Sequence, residues 1–151
     1  MTDDPPAYVV NVEAAIHREG EYLLAERSAA EDHAAGALSL IGGTVEASGE
    51  TDRPLERTVR REVREEVGLE VTDLGYVTSS AFVSDDGSSV VNVVFRAEYE
   101  SGTARARDPD EVAAVHWLPL DEIVGAEAVP EFTREYVELA ESDRRGSASE
   151  E

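Results

Sequence analysis

The chain has 151 residues, a length that suits one domain with a substantial core. Apolar residues make up 41% of the chain, which favours a folded globule over a disordered polypeptide. The absence of cysteine excludes disulfides, thiolate zinc sites and cysteine nucleophiles, and it favours the cytoplasm. No apolar run reaches the length of a membrane span, and the acidic start MTDDPPAYVV lacks the basic region of a signal peptide.

Charge is the most unusual bulk property of the chain. The formal net charge is -21, from 34 acidic and 13 basic residues, and every basic residue is arginine. Such a surface should repel nucleic acids and anionic membranes, so we expect neither as a partner, whereas a homodimer is compatible with it. Many acids without lysine are typical of proteins from salt-loving archaea, and self-repulsion should weaken such a fold at low salt.

The predicted elements alternate between strands and helices in one continuous pattern. Runs of β-branched and apolar residues predict strands at 7–16, 22–28, 38–41, 75–84, 89–100 and 112–120. Helical periodicity predicts helices at 52–67 and 130–142. The pattern predicts an α/β (α+β) fold with helices packed on a mixed sheet. We expect one domain over residues 1–142 and a flexible tail over 143–151.

The first predicted helix separates its residue types by face. At about 100° per residue, its valines form one apolar stripe, Val59, Val63 and Val67, which predicts the buried face. Three acids lie together on one flank of that stripe: Glu62, Glu65 and Glu66. Four bases lie on the other flank: Arg57, Arg60, Arg61 and Arg64. Helices that merely carry surface salt bridges usually alternate these signs, so this segregation leaves two alternatives, a solvated face or a cation site.

The ends of this helix carry recognisable signals. Asp52 or Thr51 is the predicted N-cap before Pro54, because short polar side chains cap helix starts and proline suits the first turn. Gly68 is the predicted C-terminal cap.

The segment around the helix resembles the signature of the Nudix hydrolase family. REVREEVGL (61–69) matches the second half of that signature at every specified position, and GGTVE with Gly49-Glu50 resembles its opening. SLIGG and DEVAAVHWLPLDEI (110–123) resemble flanking parts of the family, the latter a late strand followed by a short helix. The resemblance covers roughly residues 8–125 and implies an α/β/α sandwich.

The resemblance also implies a metal-dependent chemistry. In this family the signature forms a loop, a helix and a loop that bind Mg²⁺ or Mn²⁺, which implies that Glu62, Glu65 and Glu66 hold the metal. Arg61 would orient these glutamates, and the Gly43 carbonyl would be a further ligand. Glu111, before the last strand, is a candidate additional ligand or base, with an ordinary loop acid as the alternative. Hard divalent cations prefer such oxygen ligands.

The spacing departs from the family pattern in front of the helix. Between Gly43 and Arg61 lie 17 residues (44–60), whereas the pattern has 13. Counting back from Arg61 places the first signature glutamate on Arg53, which cannot bind a metal. Glu50 is therefore the expected substitute, and Glu46 is the next choice. Because loop insertions cost little free energy, we expect activity to survive.

The resemblance implies a divalent-metal-dependent pyrophosphohydrolase. Its substrate would be a nucleoside diphosphate linked to another moiety, such as a nucleotide sugar, an ADP-ribose-like compound or a (d)NTP. Catalysis would fall to Glu62, Arg61 and Glu65. A prenyl diphosphate isomerase of the same fold would use a cysteine, which this chain lacks. The remaining alternative is a non-catalytic nucleotide sensor, which would be expected to have lost the signature glutamates.

Overall fold

Seven strands and three helices are present in the computed structural model, which describes residues 7–28, 36–47 and 49–149. The strands are β1 (Val9–Arg18), β2 (Glu21–Arg27), β3 (Leu38–Ser39), β4 (Ile41–Thr44), β5 (Glu70–Val83), β6 (Ser89–Ser101) and β7 (Val112–Pro119). The helices are α1 (Pro54–Val67), α2 (Leu120–Gly125) and α3 (Glu131–Ser149). In the described part of the chain, no helix is long and apolar enough to cross a membrane.

The strands form one mixed sheet around β1. The main order is β3-β2-β1-β6-β5, with β4 paired to β1 and β7 paired to β2. The pairing of β1 with β6 is parallel, and the other pairings are antiparallel. The central strand β1 therefore lies between β4, which leads to α1, and β6 from the second half of the chain.

The sheet has a hydrophobic core on each face. On one face α1 buries its valine stripe against alternate residues of β1, including Val12 and Ala14. On the other face α2 and α3 pack Ile123 and Val137 against the intervening residue Ala15 and its neighbours. These two cores confirm the predicted α/β/α arrangement, and the period of two along β1 sets which of its side chains face which helix.

Two predicted boundaries differ from the structure. The predicted strand at 38–41 is split into β3 and β4, so Gly42 and Gly43 lie within β4 and not after a strand. The last helix continues past residue 142 to Ser149, where the sequence predicts a tail. Arg144 and Arg145 both donate hydrogen bonds to Glu141 one turn earlier, which stabilises this extension. Residues 150–151 lie outside the described residues.

Helix α1 begins at Pro54, but its predicted cap is wrong. Arg53 is the N-cap, in the left-handed region at φ 53°, and no side chain caps the helix. Arg57 instead donates from Nε to the backbone oxygen of Asp52 at 2.7 Å. At the other end, Gly68 is the left-handed C-cap as predicted, and its N–H donates to the carbonyl oxygens of Arg64 and Val63. Glycine adopts this conformation without the strain of a side chain.

Candidate active site and metal centre

A cavity of about 640 Å³ lies where β1, β2 and β4 meet the start of α3 and one flank of α1. Four acids line the part of the cavity near α1: Glu46, Glu62, Glu66 and Glu111. The α1 acids reach it because Val59 and Val63 are buried beneath the helix, which leaves the adjacent flank facing the cavity. Glu62 and Glu66 are one turn apart and therefore lie on the same side of α1.

Two glycines of β4 allow the close approach of the neighbouring groups. A Cβ atom on Gly42 would lie 1.9 Å from the carbonyl oxygen of Val12, so no side chain fits against β1 there. A Cβ atom on Gly43 would lie 2.5 Å from the carboxyl carbon of Glu62. The absence of side chains at these positions therefore lets the Glu62 carboxylate lie directly against the β4 backbone.

Glu66 has the most perturbed carboxyl group of the cavity. Burial raises the pKa of Glu66, and the negative charges of Glu62 and Glu111 raise it further, to about 8. A hydrogen bond from the Gly42 backbone and the charge of Arg27 act in the opposite direction but do not outweigh these effects. The carboxylates thus repel one another in a partly desolvated site, and a cation among them would relieve that repulsion.

Arg61 holds Glu62 in this group. Its Nη2 donates to Glu62 Oε1 at 3.1 Å, and its Nη1 lies 3.7 Å from a carboxylate oxygen of Glu46. Burial raises the pKa of Glu62, the bond and charge of Arg61 lower it, and the charges of Glu65 and Glu111 raise it again, with a net increase. Arg61 therefore links α1 to the loop after β4 and orients the Glu62 carboxylate.

The donor chemistry of this group suits a hard divalent cation. Glu62, Glu66 and Glu111 supply only carboxylate oxygens, and the Gly43 backbone runs beside Glu62. In the described part of the chain, no three acidic or imidazole side chains stand close enough together to hold a metal ion as they are. The raised pKa of Glu66 shows that burial and neighbouring acids outweigh the groups of the chain that stabilise its charge.

The structure brings together only some of the residues that the sequence suggests. Glu62, Glu66, Glu111 and Gly43 all line the cavity. Glu65 is exposed and is not among the lining residues.

The two candidates for the first signature glutamate, Glu46 and Glu50, also differ in whether they line the cavity. Glu46 and Glu50 are both exposed, but Glu46 lines the cavity and Glu50 does not. Arg53, the position that the spacing assigns to the first signature glutamate, is the N-cap of α1.

Three further residues of the cavity are not among the sequence-based candidates. Asn11 and Glu13 project from β1 into the cavity, and Arg27 reaches it from the end of β2. A signal for the first two exists, because they are polar residues at alternate positions within the apolar part of β1, residues 9–16. Arg27 is the one basic residue among the described residues that line the cavity, and nothing in its local sequence distinguishes it.

The site thus combines two glycines of β4, an acidic flank of α1 and a cavity lined by carboxylates. The NUDIX domain model matches residues 7–140. The chain therefore belongs to the Nudix hydrolase family, which confirms the resemblance of its signature.

Known members of the family show the range of similarity. The chain is 38% identical over 109 residues to the NAD-capped RNA hydrolase NudC of Escherichia coli O1:K1, covering 72% of this chain but only 38% of that protein. The MutT NUDIX hydrolase from Burkholderia pseudomallei superposes with a TM-score of 0.74 at 29% identity, covering 88% of this chain and 98% of that one. The MutT protein from Methanosarcina mazei Go1 gives 0.72 at 28% identity, covering 92% and 96%.

Proposed function

We propose that the chain is a divalent-metal-dependent pyrophosphohydrolase acting on a nucleoside diphosphate linked to another moiety. The observation that carries the proposal is the group of mutually repelling carboxylates, Glu62, Glu66 and Glu111, in one cavity with Arg27. A cation and a phosphate chain together match this pattern, because the acids need positive charge while the anionic substrate needs a basic partner.

We assign a proposed role to each residue near the acidic part of the cavity. Glu62 and Glu66 would hold Mg²⁺ or Mn²⁺ with the Gly43 carbonyl, and the cation would neutralise diphosphate charge and lower the pKa of the attacking water. Glu111 would be a further ligand or the general base. Arg61 would hold the Glu62 carboxylate in place.

The remaining candidates take supporting roles. Glu46 is favoured over Glu50 as the loop carboxylate, because Glu46 lines the cavity and lies beside Arg61. Arg27 would bind a phosphate oxygen of the substrate. Glu65, an exposed residue of α1 outside the cavity, would add negative charge near the metal. It would become a ligand only through side-chain movement.

The proposal also concerns the cellular compartment, the choice of substrate and the oligomeric state. A chain without cysteine suits the cytoplasm, and its charge of -21 disfavours nucleic acid as a substrate. The similarity to an NAD-capped RNA hydrolase, in contrast, favours a nucleic acid substrate. The substrate panel should therefore contain ADP-ribose, a nucleotide sugar, a dNTP and an NAD-capped RNA, and a sizing measurement would separate monomer from homodimer.

The test combines turnover, product identification and melting. With Mg²⁺ or Mn²⁺, the wild-type chain should hydrolyse at least one panel compound to a nucleoside monophosphate or an equivalent phosphorylated product. Glu62→Gln should reduce turnover by about 100-fold or more while the melting temperature stays nearly unchanged. Glu56→Gln, on the same helix but outside the cavity, is the matched control and should keep its activity.

Metal binding has an independent readout. Mg²⁺ at 100 times its dissociation constant should stabilise the wild-type fold by about 2.7 kcal/mol, and Glu62→Gln should reduce that gain. Nucleotide binding without turnover of any compound would favour the sensor. A large loss of stability with retained turnover in Glu62→Gln would show that Glu62 is structural.

A further inference from the structure

A row of three polar side chains lies on the sheet beneath the cavity, on the face covered by α3. Asn11 and Glu13 are two residues apart on β1, and Asn92 lies opposite Asn11 on the parallel strand β6. Asn11 Nδ2 donates to Asn92 Oδ1 at 2.7 Å, and Asn92 Nδ2 donates to Glu13 Oε2 at 2.9 Å. We call Asn11, Asn92 and Glu13 the amide row.

The direction of hydrogen bonding in the amide row is fixed by its last member. An ionised carboxylate only accepts, so Asn92 must turn its amide nitrogen toward Glu13 and its oxygen toward Asn11. Asn92 is 4% exposed and is held between its two partners. Two acceptor oxygens, Asn11 Oδ1 and Glu13 Oε1, take no part in these two bonds, and both residues line the cavity. The row therefore offers acceptors to a ligand.

The walls around the amide row suit a flat ring. Leu38, Leu40 and Pro130 line the same cavity, and Phe132 at the start of α3 lines it with 54% of its surface exposed. An exposed aromatic ring beside apolar side chains can cover one face of a nucleobase. The acidic group at α1 and the amide row thus provide separate places for the phosphates and for the base within one cavity.

We propose that Glu13, positioned by Asn92, is a specificity-determining residue that binds the exocyclic amino group of the substrate nucleobase. The inference rests on the proposed function and names its substrate class, nucleotides of adenine or cytosine. The amino group donates where Glu13 accepts. Uracil and hypoxanthine present a carbonyl oxygen at the equivalent position, which a carboxylate repels.

The environment of Glu13 makes this choice of partner effective. Burial raises the pKa of Glu13, whereas the hydrogen bond from Asn92 and the charge of Arg27 lower it, with a net increase. A carboxyl group that has lost part of its hydration gains more from a ligand donor than an exposed one does. Hydrogen bonds to a charged group of this kind correspond to a change of about tenfold or more in affinity.

The experiment compares two pairs of ligands that differ at one position of the base. Dissociation constants of the full chain are measured by calorimetry for AMP against IMP and for CMP against UMP. The wild-type chain should bind AMP and CMP about tenfold more tightly than their carbonyl counterparts. Glu13→Gln should reverse the order, because Gln can still accept from Asn92 while its Nε2 now donates toward the ligand.

Two further variants separate this role from a structural one. Glu13→Asp keeps the charge but shortens the side chain, so binding should weaken while the order of preference stays. Glu100→Gln, an exposed position on β6, should leave all four dissociation constants unchanged. A chain that merely needs Glu13 for folding would lose stability and binding in both Glu13 variants without any reversal.

The outcomes distinguish this inference from the proposed function. Equal binding of the four nucleotides by the wild-type chain, or an unchanged order in Glu13→Gln, would overturn the assignment of Glu13 even if diphosphates are hydrolysed. Preferential binding of AMP and CMP with a reversal in Glu13→Gln, but no hydrolysis of any diphosphate, would support the assignment and reject the hydrolase.

Discussion

Two partly buried glutamates, one on each of the long helices, have opposite electrostatic surroundings. Burial acts to raise the pKa of Glu141 on α3, but hydrogen bonds from Arg144, Tyr22 and Arg145 outweigh it and lower the pKa to about 2. The Tyr22 hydroxyl donates at 2.6 Å and Arg145 Nε at 2.6 Å. On α1, burial and neighbouring acids raise the pKa of Glu66 to about 8.

The difference separates a carboxylate whose charge is satisfied within the chain from one whose charge is not. The charge of Glu141 is satisfied within the chain, so it joins α3 to Tyr22 of β2 and needs no ligand. Glu66 faces other acids, and the groups of the chain that stabilise its charge do not offset burial and this repulsion. A high density of acids therefore carries little functional information here, whereas the identity of the neighbours of each acid carries much.

The largest expected effect comes from removing the charge of Glu66. Glu66→Gln should lower turnover by about 100-fold or more, because the proposed metal ligand is lost. Its melting temperature in metal-free buffer should stay level or rise, since a repelled and partly buried charge disappears. Parallel turnover and thermal melting measurements check this. A drop in stability with normal turnover would abolish the distinction between the two glutamates.

The second effect is the reverse pattern at Glu141. Glu141→Gln should reduce the free energy of unfolding by about 3 kcal/mol, because arginines and a tyrosine lose their charged acceptor. For a domain of this size the melting temperature should fall by roughly 10 °C, with turnover retained. Denaturant unfolding measures the loss. Glu138→Gln, an exposed position one turn earlier, should change stability little, and an equal loss there would point to a general effect of charge on α3.

Acid should erase that stability difference. The folded pKa of Glu141 is lowered to about 2, so its contribution is fully present above its ordinary value of 4.5 and is lost as the pH falls toward 2. The stability gap between the wild type and Glu141→Gln should therefore be constant from pH 7 to 5 and shrink below that. Urea unfolding at pH 6, 4 and 3 measures it. A gap at pH 3 as large as the gap at pH 6 would mean that packing, not charge, holds Glu141.

The smallest expected effect concerns the exposed acids, whose surroundings differ from those of both Glu66 and Glu141. Raising the salt from low to molar concentration should screen their mutual repulsion and increase the melting temperature by a few degrees, or roughly 1 kcal/mol. Glu141 and Tyr22 are buried, so their interaction should contribute little to this change. If the melting temperature fails to rise, the net charge of -21 does not limit stability.

The parts of the fold that depend on near neighbours could be predicted from the sequence. The apolar stripe of α1 and the glycine cap at Gly68 follow from local spacing and local conformational preference. The N-cap residue of α1 could not be predicted from local preference. The preference for Thr51 or Asp52 gave way to the path of the lengthened loop, which enters Pro54 through a left-handed Arg53.

The cavity could be predicted only in part. Its acids on α1 are neighbours in sequence, whereas the polar residues beneath it on β1 and β6 come from distant parts of the chain. Glu62 and Glu66 share a helix, so their spacing alone places them together. Asn11 and Asn92 are 81 residues apart and meet only because β1 and β6 pair in parallel, a register that local pattern does not specify. The exclusion of Glu50 from the cavity likewise depends on the path of the inserted loop.

The two glycines of β4 also set how this site could change over time. Position 42 is closed to any side chain by the backbone of Val12, so no second substitution can open it cheaply. Position 43 is closed only by the movable side chain of Glu62. A methyl group at Gly43 would be tolerated once residue 62 is shortened, so the two positions should be energetically coupled. Mutational drift at Gly43 is thus tied to the residue that would bind the metal, whereas drift at Gly42 is blocked by the fold itself.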